Sequence, residues 1–259
     1  MKLIDAHSHL NSKEFDSDLK EVISRMKEKE IGTIIVGTDY ESSGRAVEIS
    51  QNEPTFFSAI GLHPIDNKDE VFNEDLYRDL AKEKSVVAIG ECGLDYYWEK
   101  NEEKRARQRD LFRSQIRLAL SLDLPLMIHC RNAYEDTIVI LKEFKKGEDG
   151  EKLRGNIHFF AGTVEFAKEF IELSFTMSFT GVITFASDYD EVIKSIPLSS
   201  ILAETDCPFV SPAPNRGKRN EPIFVNQVVA RLAELKGVSV EKMAETTLSN
   251  TARVFGLSV

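Results

Sequence analysis

The sequence predicts an α/β fold, a (β/α)8 TIM barrel with C-terminal helices. Two observations predict it. Short apolar runs rich in β-branched residues alternate with amphipathic stretches of helical period, and the apolar runs end in polar residues that can do chemistry, as strands of such barrels do at their C-terminal ends. The 259 residues match the roughly 250 that the barrel needs. We therefore expect one domain over residues 1–259.

The expected strands are short, and most are apolar throughout, as buried parallel strands are. The first begins at Leu3 and Ile4, and the second is the run of five residues that starts at Thr33. In order, the strands are predicted at 3–9, 33–37, 56–60, 86–91, 125–129, 155–159, 176–180 and 201–206.

The intervening segments show helical spacing of apolar residues. Leu19, Val22, Ile23 and Met26 mark the first helix, and the longest amphipathic stretch ends at Leu122. Helices are predicted at 16–30, 43–51, 73–84, 102–122, 133–145, 163–173, 222–236 and 240–255, and the charged segment 146–154 is a surface loop. No short sequence repeat is present, so only the alternation of strand and helix recurs.

Composition narrows the function classes. No apolar run approaches the roughly 18 residues of a membrane span, and Lys2 leads into a strand rather than a signal sequence. Three separated cysteines agree with a reducing compartment. We therefore expect a cytoplasmic protein with no membrane contact and no stable protein partner. The net charge of −10 argues against a broad basic surface that coats duplex nucleic acid, although it allows a local basic site.

The histidines point to a metal site. His7 and His9 are two residues apart at the end of the first strand, so alternation turns both side chains, with that of Asp5, to one face. His63, His129 and His158 follow three other strands. All five histidines in the chain are thus expected at one end of the barrel, where its active site is built.

Two carboxylates, Glu91 and Asp206, are expected at the same end. Imidazole and carboxylate ligands suit Zn²⁺, Mn²⁺ or Fe²⁺, or Mg²⁺ with fewer imidazoles. Glu91 lies in the middle of the set and could bridge two ions about 3.5–4 Å apart. We therefore predict one or two divalent metal ions of open identity.

The three cysteines each directly follow one of these polar residues. Cys92, Cys130 and Cys207 come after Glu91, His129 and Asp206, respectively. Strand alternation sends such neighbours outward beneath the helices, so we interpret them as buried apolar residues rather than thiolate ligands.

Motifs spread over nearly the whole chain resemble the TatD family of metal-dependent hydrolases, in the amidohydrolase superfamily. The segments that carry the resemblance are DAHSHL at 5–10, GLHP at 61–64, GECGLDY at 90–96, PLMIHCR at 125–131, HFFAG at 158–162, ETDCPF at 204–209, RGKRNEP at 216–222 and NTAR at 250–253.

The resemblance implies a binuclear divalent-metal site, with Mg²⁺, Mn²⁺ or Zn²⁺, and hydrolysis of phosphodiester bonds, usually in DNA. By position, His7 and His9 would hold one metal and His129 and His158 the other. Glu91 would lie between the two metals, and Asp206 would contact metal and the attacking water. Relatives trim single-stranded 3′ ends, so a 3′–5′ exonuclease is the favoured activity.

The mechanism follows from these parts. A divalent cation lowers the pKa of bound water from about 16 towards about 7, and Asp206 orients that water and takes its proton. We expect Asp206, Glu91 and His63 to act in catalysis, and His63 and Arg131 to contact phosphate, because the planar fork of arginine matches phosphate. A salt bridge in the barrel mouth is the alternative for Arg131. Glu204 faces inward and is expected to support a ligand.

Weaker signals concern the substrate. Tyr96, with Tyr97 and Trp98, could stack on an unpaired base or pack within its own loop. The basic residues at 216–219 could hold a backbone phosphate or be pinned by Glu221. The acidic total favours a strand end or a small phosphodiester over a long duplex as the partner.

Two other function classes remain open. An amide or ester hydrolase of small molecules or aminoacyl-tRNA is possible on the same barrel, but many such enzymes place a carboxylated lysine on the fourth strand. Here that strand has no lysine after Val86, which favours the phosphodiesterase. A non-catalytic scaffold would not need the full ligand set. The physiological substrate, the metal and the polarity of cutting stay open.

Overall fold

The computed structural model describes residues 1–65 and 70–258. Within them, eight parallel strands lie side by side in chain order and form a nearly closed barrel. The predicted (β/α)8 barrel is therefore confirmed. The strands are β1 Leu3–Ser8, β2 Ile31–Val36, β3 Phe56–Ile60, β4 Val86–Asp95, β5 Leu126–Arg131, β6 Gly155–Ile157, β7 Phe175–Phe179 and β8 Ile201–Ala203.

Helices surround the barrel. They are α1 Leu19–Glu28, α2 Tyr40–Gln51, α3 Glu74–Leu80, α4 Glu102–Leu122, α5 Tyr134–Lys145, α6 Val164–Glu172, α7 Asp190–Ser195, α8 Val225–Lys236 and α9 Val240–Phe255. The bounds of α4 and α9 agree with the prediction. Helix α7 was not predicted, because six residues are too few to show a helical period.

Capping residues at the helix termini explain why α4 and α9 are well defined. The side chains of Asn101 and Ser239 accept hydrogen bonds from backbone N–H groups in the first turns of α4 and α9. Gly256 ends α9 with a φ of 67°, in the left-handed region that favours glycine. Among the helices of residues 1–65 and 70–258, none combines the length and apolar character that crossing a membrane requires.

The strands are held by burial on both faces. Every residue of β2 and of β4 is buried, which is what the continuous apolar runs indicate. Phe112 and Ile116 of α4 are fully buried beside the sheet, as the amphipathic pattern predicts. Burial of such large side chains contributes about 1.5–3 kcal/mol each relative to exposure, so the interlocked layers fix the strands that carry the site.

The barrel closes between the first strand and the segment that follows β8. The backbone N–H of Asp206 donates to the carbonyl of His7 at 2.9 Å, and that of His9 donates to Cys207 at 2.8 Å. The buried carboxylate of Asp5 accepts from the backbone N–H of Thr205 at 2.8 Å and from its hydroxyl. This seam joins the first strand to the segment that follows the eighth strand, at the mouth of the barrel.

The two C-terminal strand ends that differ most from the prediction are those of β4 and β8. Strand β4 continues four residues beyond Glu91 to Asp95, because its pairing with β5 resumes after a register shift at Cys92. Strand β8 ends at Ala203, not at Asp206. Asp206 has a φ of 55°, so a left-handed turn rather than strand alternation directs its side chain.

Candidate metal centre

Glu91, near the middle of β4, lies among the imidazoles of all five histidines. One carboxylate oxygen, Oε1, faces three of them, and the other, Oε2, faces two. The nearest nitrogens lie 3.6 Å (His63), 3.1 Å (His129) and 3.2 Å (His158) from Oε1, and 3.4 Å (His7) and 3.7 Å (His9) from Oε2. A carboxylate whose two oxygens face separate sets of nitrogens has the arrangement of a bridging ligand.

Asp206 completes the cluster on the side of the first strand. Its Oδ1 lies 3.4 Å from Nε2 of His9 and 3.8 Å from Nε2 of His7. Within the described ranges, three overlapping groups have ligand atoms close enough to hold an ion: His7, His9 and Asp206; His7, Glu91 and His158; and His63, Glu91 and His129. The six predicted ligands and His63 are therefore brought together. His158 falls in a group with His7, rather than in one with His129.

Three of the imidazoles are held from behind by a fixed acceptor, which leaves their other ring nitrogen facing the cluster. Ligating histidines are commonly oriented in this way. The contacts are His9 Nδ1 to the Val36 carbonyl at 2.9 Å, His129 Nε2 to Asp95 Oδ2 at 3.0 Å, and His158 Nδ1 to Glu204 Oε1 at 3.1 Å. In His7, by contrast, Nδ1 is buried without a hydrogen-bond partner among the residues that the structure describes.

The electrostatics of the cluster favour a charged Glu91 and a neutral His7. Burial opposes the ionisation of Glu91, but the imidazoles of His158, His63 and His129 outweigh it and hold its pKa well below the usual range. Burial, with a contribution from the neighbouring His158, lowers the pKa of His7 to about 3. Glu91 and His7 are thus in the forms that bind a metal ion, whereas the charges of Glu91 and Glu204 outweigh burial and raise the pKa of His158, so an ion bound there would displace a proton.

Glycine lets β4 approach β5 closely at this point. A Cβ on Gly93, whose φ is 132°, would lie 2.0 Å from the carbonyl oxygen of His129. A side chain at position 93 would therefore force the two strands apart. Gly93 thus fixes the distance between Glu91 and His129.

A cavity of about 770 Å³ opens above the cluster. His9, His63, Glu91, His129, His158 and Asp206 line its floor, and Arg131, Trp98 and Phe209 are among the residues that line its walls. Arg131 is exposed, and its guanidinium lies over the ring of Tyr97 at 4.0 Å. No salt bridge of the described residues includes Arg131, so the alternative prediction for this side chain is not supported.

Of the two roles expected for Tyr96, the structure supports packing rather than a place at the cavity. Its ring is buried, and its hydroxyl lies 2.6 Å from Asp136 Oδ2 and 3.0 Å from Arg109 Nη1, between α4 and α5. Strand β4 runs on to Asp95, so the chain turns four residues later than predicted. Tyr96 therefore lies beneath the loop. Trp98 lines the cavity in its place.

Three other side chains that the sequence analysis considered have partners outside the ligand cluster. Asp5 does not join the cluster, because the pairing of β1 with β2 shifts between Asp5 and Ser8 and interrupts the alternation. Arg219 donates to both carboxylate oxygens of Asp18 at 2.7 and 2.6 Å, and contacts Glu221 at 3.2 Å, so it pins its loop. Arg216 lies over the ring of Phe185 at 4.0 Å.

Two carboxylates support the ligating histidines; the sequence predicted one of them and missed the other. Glu204 was expected to face inward, and it is fully buried against His158. Asp95 was missed, although it stands four residues after Glu91 and would share its face if the strand were continued. The alternation of β4, followed past Gly93, is the signal that could have found it.

The cysteines agree with the interpretation as buried apolar residues. Cys92, Cys130 and Cys207 are all buried. Burial raises the pKa of the Cys130 thiol to about 12. No cysteine belongs to the three ligand groups found in residues 1–65 and 70–258. Thiolate ligation is therefore not part of this centre.

Together, the barrel and its His/Glu/Asp cluster define the class of metal-dependent hydrolases built on a (β/α)8 fold. A family profile described as TatD related DNase matches residues 4–256. The chain belongs to the TatD family.

Individual relatives agree with this assignment. The chain is 43% identical to the uncharacterized metal-dependent hydrolase YabD of Bacillus subtilis, over 99% of this chain and 100% of that protein. It is 30% identical to the 3′-5′ ssDNA/RNA exonuclease TatD of Escherichia fergusonii, over 99% of this chain and 100% of the relative. The crystal structure of YjjV, a TatD homolog from Escherichia coli, superposes with a TM-score of 0.90 at 28% identity, covering 99% of each chain.

Proposed function

We propose that this protein is a divalent-metal-dependent phosphodiesterase that shortens single-stranded DNA from its 3′ end in the cytoplasm. The observation that carries the proposal is the position of Glu91, whose two oxygens face two sets of imidazoles on the floor of one cavity. The name of the Escherichia fergusonii relative supports nucleic acid as the substrate class.

The donor set fits two divalent ions. His7 and His9, which face Oε2 of Glu91, would hold one ion, and His129 and His158, which both face Oε1, would hold the other, with Glu91 shared between them. The nitrogen and carboxylate donors suit Mn²⁺ or Zn²⁺, and Mg²⁺ less well because imidazoles predominate. Bound there, such ions would lower the pKa of water to about 7 and offset the charge on a phosphoryl group.

The remaining side chains would divide the work around the reacting phosphorus. Asp206 orients the attacking water and accepts its proton, from a position 3.4 Å from His9. Arg131, at the rim, donates to a phosphate oxygen. His63 lines the same cavity, beside His129, and contacts a second oxygen or the leaving group. Because the floor carries carboxylates, a phosphodiester anion binds there only when cations offset their charge.

The cavity favours a strand end over a closed duplex. Its 770 Å³ is within the range of about 300–1,000 Å³ for pockets that enclose small ligands. A cavity of this size accommodates a group about as large as a nucleotide, so a terminal nucleotide is the part of a polymer that fits.

A direct test uses DNA labelled at either end. Protein stripped of metal, with metal content verified by mass spectrometry, should be inactive, and Mg²⁺, Mn²⁺ or Zn²⁺ should restore activity. A 3′ label should be released at once, a 5′ label should give progressively shorter strands, and closed circular duplex should be nicked far more slowly.

Matched variants separate the cluster from its surroundings. Asp206→Asn should be inactive, whereas Asp188→Asn, which removes the same charge from an exposed site near the mouth, should be active. Activity in the verified metal-free protein would refute the metal mechanism. Cleavage of small esters or amides, with no nucleic acid cut, would instead support the amide or ester hydrolase.

A further inference from the structure

Two exposed aromatic rings face the cavity from different sides. Trp98 is 64% exposed and Phe209 is 54% exposed, and both line the cavity above the cluster. Trp98 follows β4 and Phe209 follows β8, and strands four apart in an eight-stranded ring lie opposite each other. An exposed indole in such a place is available to a ligand, because it is not used for packing.

The loop that carries Trp98 is held by its backbone while the ring stays open to solvent. The N–H of Trp98 donates to Asp95 Oδ1 at 2.9 Å, and Lys100 donates to the carbonyl of Tyr96 at 2.8 Å. The indole meets the ring of Tyr97 edge-on, with centroids 4.8 Å apart. The rings of Trp98 and Tyr97 are therefore held in place before any ligand binds, which lowers the entropic cost of binding.

A cationic side chain lies next to these two rings. The guanidinium of Arg131 is 4.0 Å from the ring centroid of Tyr97 and 5.7 Å from that of Trp98. This cation–π contact with the tyrosine restrains the position of the guanidinium. With no carboxylate partner among the described residues, its N–H groups are available to an anion.

We propose that Trp98 stacks on an unpaired nucleobase while Arg131 binds the backbone phosphate beside that base. The proposal rests on the proposed function for its substrate class, and it identifies the part of the strand that the rim recognises. A flat indole face accepts any base, so the contact selects single strands without selecting sequence. Bases inside a duplex have both faces covered, and they cannot reach Trp98.

The chain offers its own reporter, because Trp98 is the only tryptophan. The metal-loaded protein is titrated with tetrathymidylate carrying phosphorothioate linkages, which slow hydrolysis. The control ligand is an abasic tetramer with the same backbone and no bases. We expect saturable quenching of the Trp98 emission by tetrathymidylate and no quenching by the abasic tetramer.

Affinities from the anisotropy of labelled oligonucleotides complete the test. Trp98→Ala should weaken tetrathymidylate binding by about 5- to 150-fold and leave the abasic tetramer within about twofold. Trp98→Phe, which keeps an aromatic face, should retain most of the affinity. Arg131→Gln should reduce the slope of log affinity against log salt by about 0.7, the share of one phosphate on a single strand.

Three results would overturn the inference. They are equal affinity for tetrathymidylate and the abasic tetramer, saturation without a change in emission, and a Trp98→Ala variant that loses abasic binding to the same extent. Failure of the proposed function looks different, since unmodified DNA would stay intact with every metal. Quenching without cleavage would therefore uphold the stacking and reject the nuclease.

Discussion

Glu204 offers a test of how the candidate centre is held together. Its Oε1 lies 3.1 Å from Nδ1 of His158 and accepts from the N–H of Phe159 at 2.7 Å, and its Oε2 accepts from the hydroxyl of Ser178 at 2.5 Å. In Glu204→Gln, the amide oxygen can keep the first two contacts. The amide nitrogen then faces Ser178, whose hydroxyl can turn to accept. Only the charge is lost.

The expected effect is on metal affinity. Removing a partner that orients a ligating histidine typically costs 10- to 100-fold in metal affinity, or about 1.4–2.7 kcal/mol. Because the substitution keeps the contacts and removes a buried charge, the free energy of unfolding should change by only about 1 kcal/mol. Glu204→Ala differs, since it leaves three buried groups without their acceptor and should cost about 3 kcal/mol or more.

The assay titrates metal-free protein with Zn²⁺ or Mn²⁺ against a chromophoric chelator, alongside urea unfolding in the same buffer. Thr251→Val is the control, because Thr251 is buried in α9, where its hydroxyl donates to Thr247 at 2.8 Å. It should lower stability and leave metal affinity unchanged. A folded Glu204→Gln protein that binds metal as tightly as the parent would refute the role of Glu204.

Three further outcomes are expected. Asp206→Asn should lower kcat by about 10²–10⁴, as loss of a general base does, whereas Cys207→Ser should cost about 1–3 kcal/mol of stability with little change in activity per folded molecule; the reverse pattern would mean that this segment faces the other way. Gly93→Ala should lower the urea midpoint and the metal affinity together, because its Cβ would lie 2.0 Å from a carbonyl oxygen on β5; an unchanged protein would contradict the close approach. The hydrogen bond from Arg219 lowers the pKa of Asp18, so this pair stabilises the fold above the unfolded-state pKa of about 3.9. The stabilisation is lost as the pH falls through the pKa of Asp18 in the folded state. The difference in urea midpoint between the parent and Asp18→Asn should therefore disappear in acid, and a difference that stays constant with pH would argue against the pair.

The barrel was predictable because its signals are local. Apolar runs of five or six residues mark β2 and β3, and polar caps such as Asn101 and Ser239 mark where α4 and α9 begin. The convergence of seven site residues was predictable for the same reason, since each lies at the end of a predicted strand or shortly after it. Topology then brings them to one mouth.

What the sequence did not predict depends on neighbours in space. The extension of β4 to Asp95 requires β5 to lie against Gly93, which no local pattern records. The shift in β1 after Asp5 is likewise set by its pairing with β2. The choice between the two roles of Tyr96 stayed open because its position follows from where β4 ends.

The seam of the barrel has a consequence for how the protein is made. His7 and His9 are synthesised about 200 residues before the carboxylate of Asp206 that completes their group, and Asp5 precedes by a similar interval the Thr205 to which it is bonded. A nascent chain therefore carries two of the three ligands of that group until Asp206 is made. The complete ligand group forms only when the last strand docks beside the first, so binding of the ion stabilises the completed barrel. A circular permutant opened in a loop between these residues would make Asp206 before His7 and shorten the interval between them.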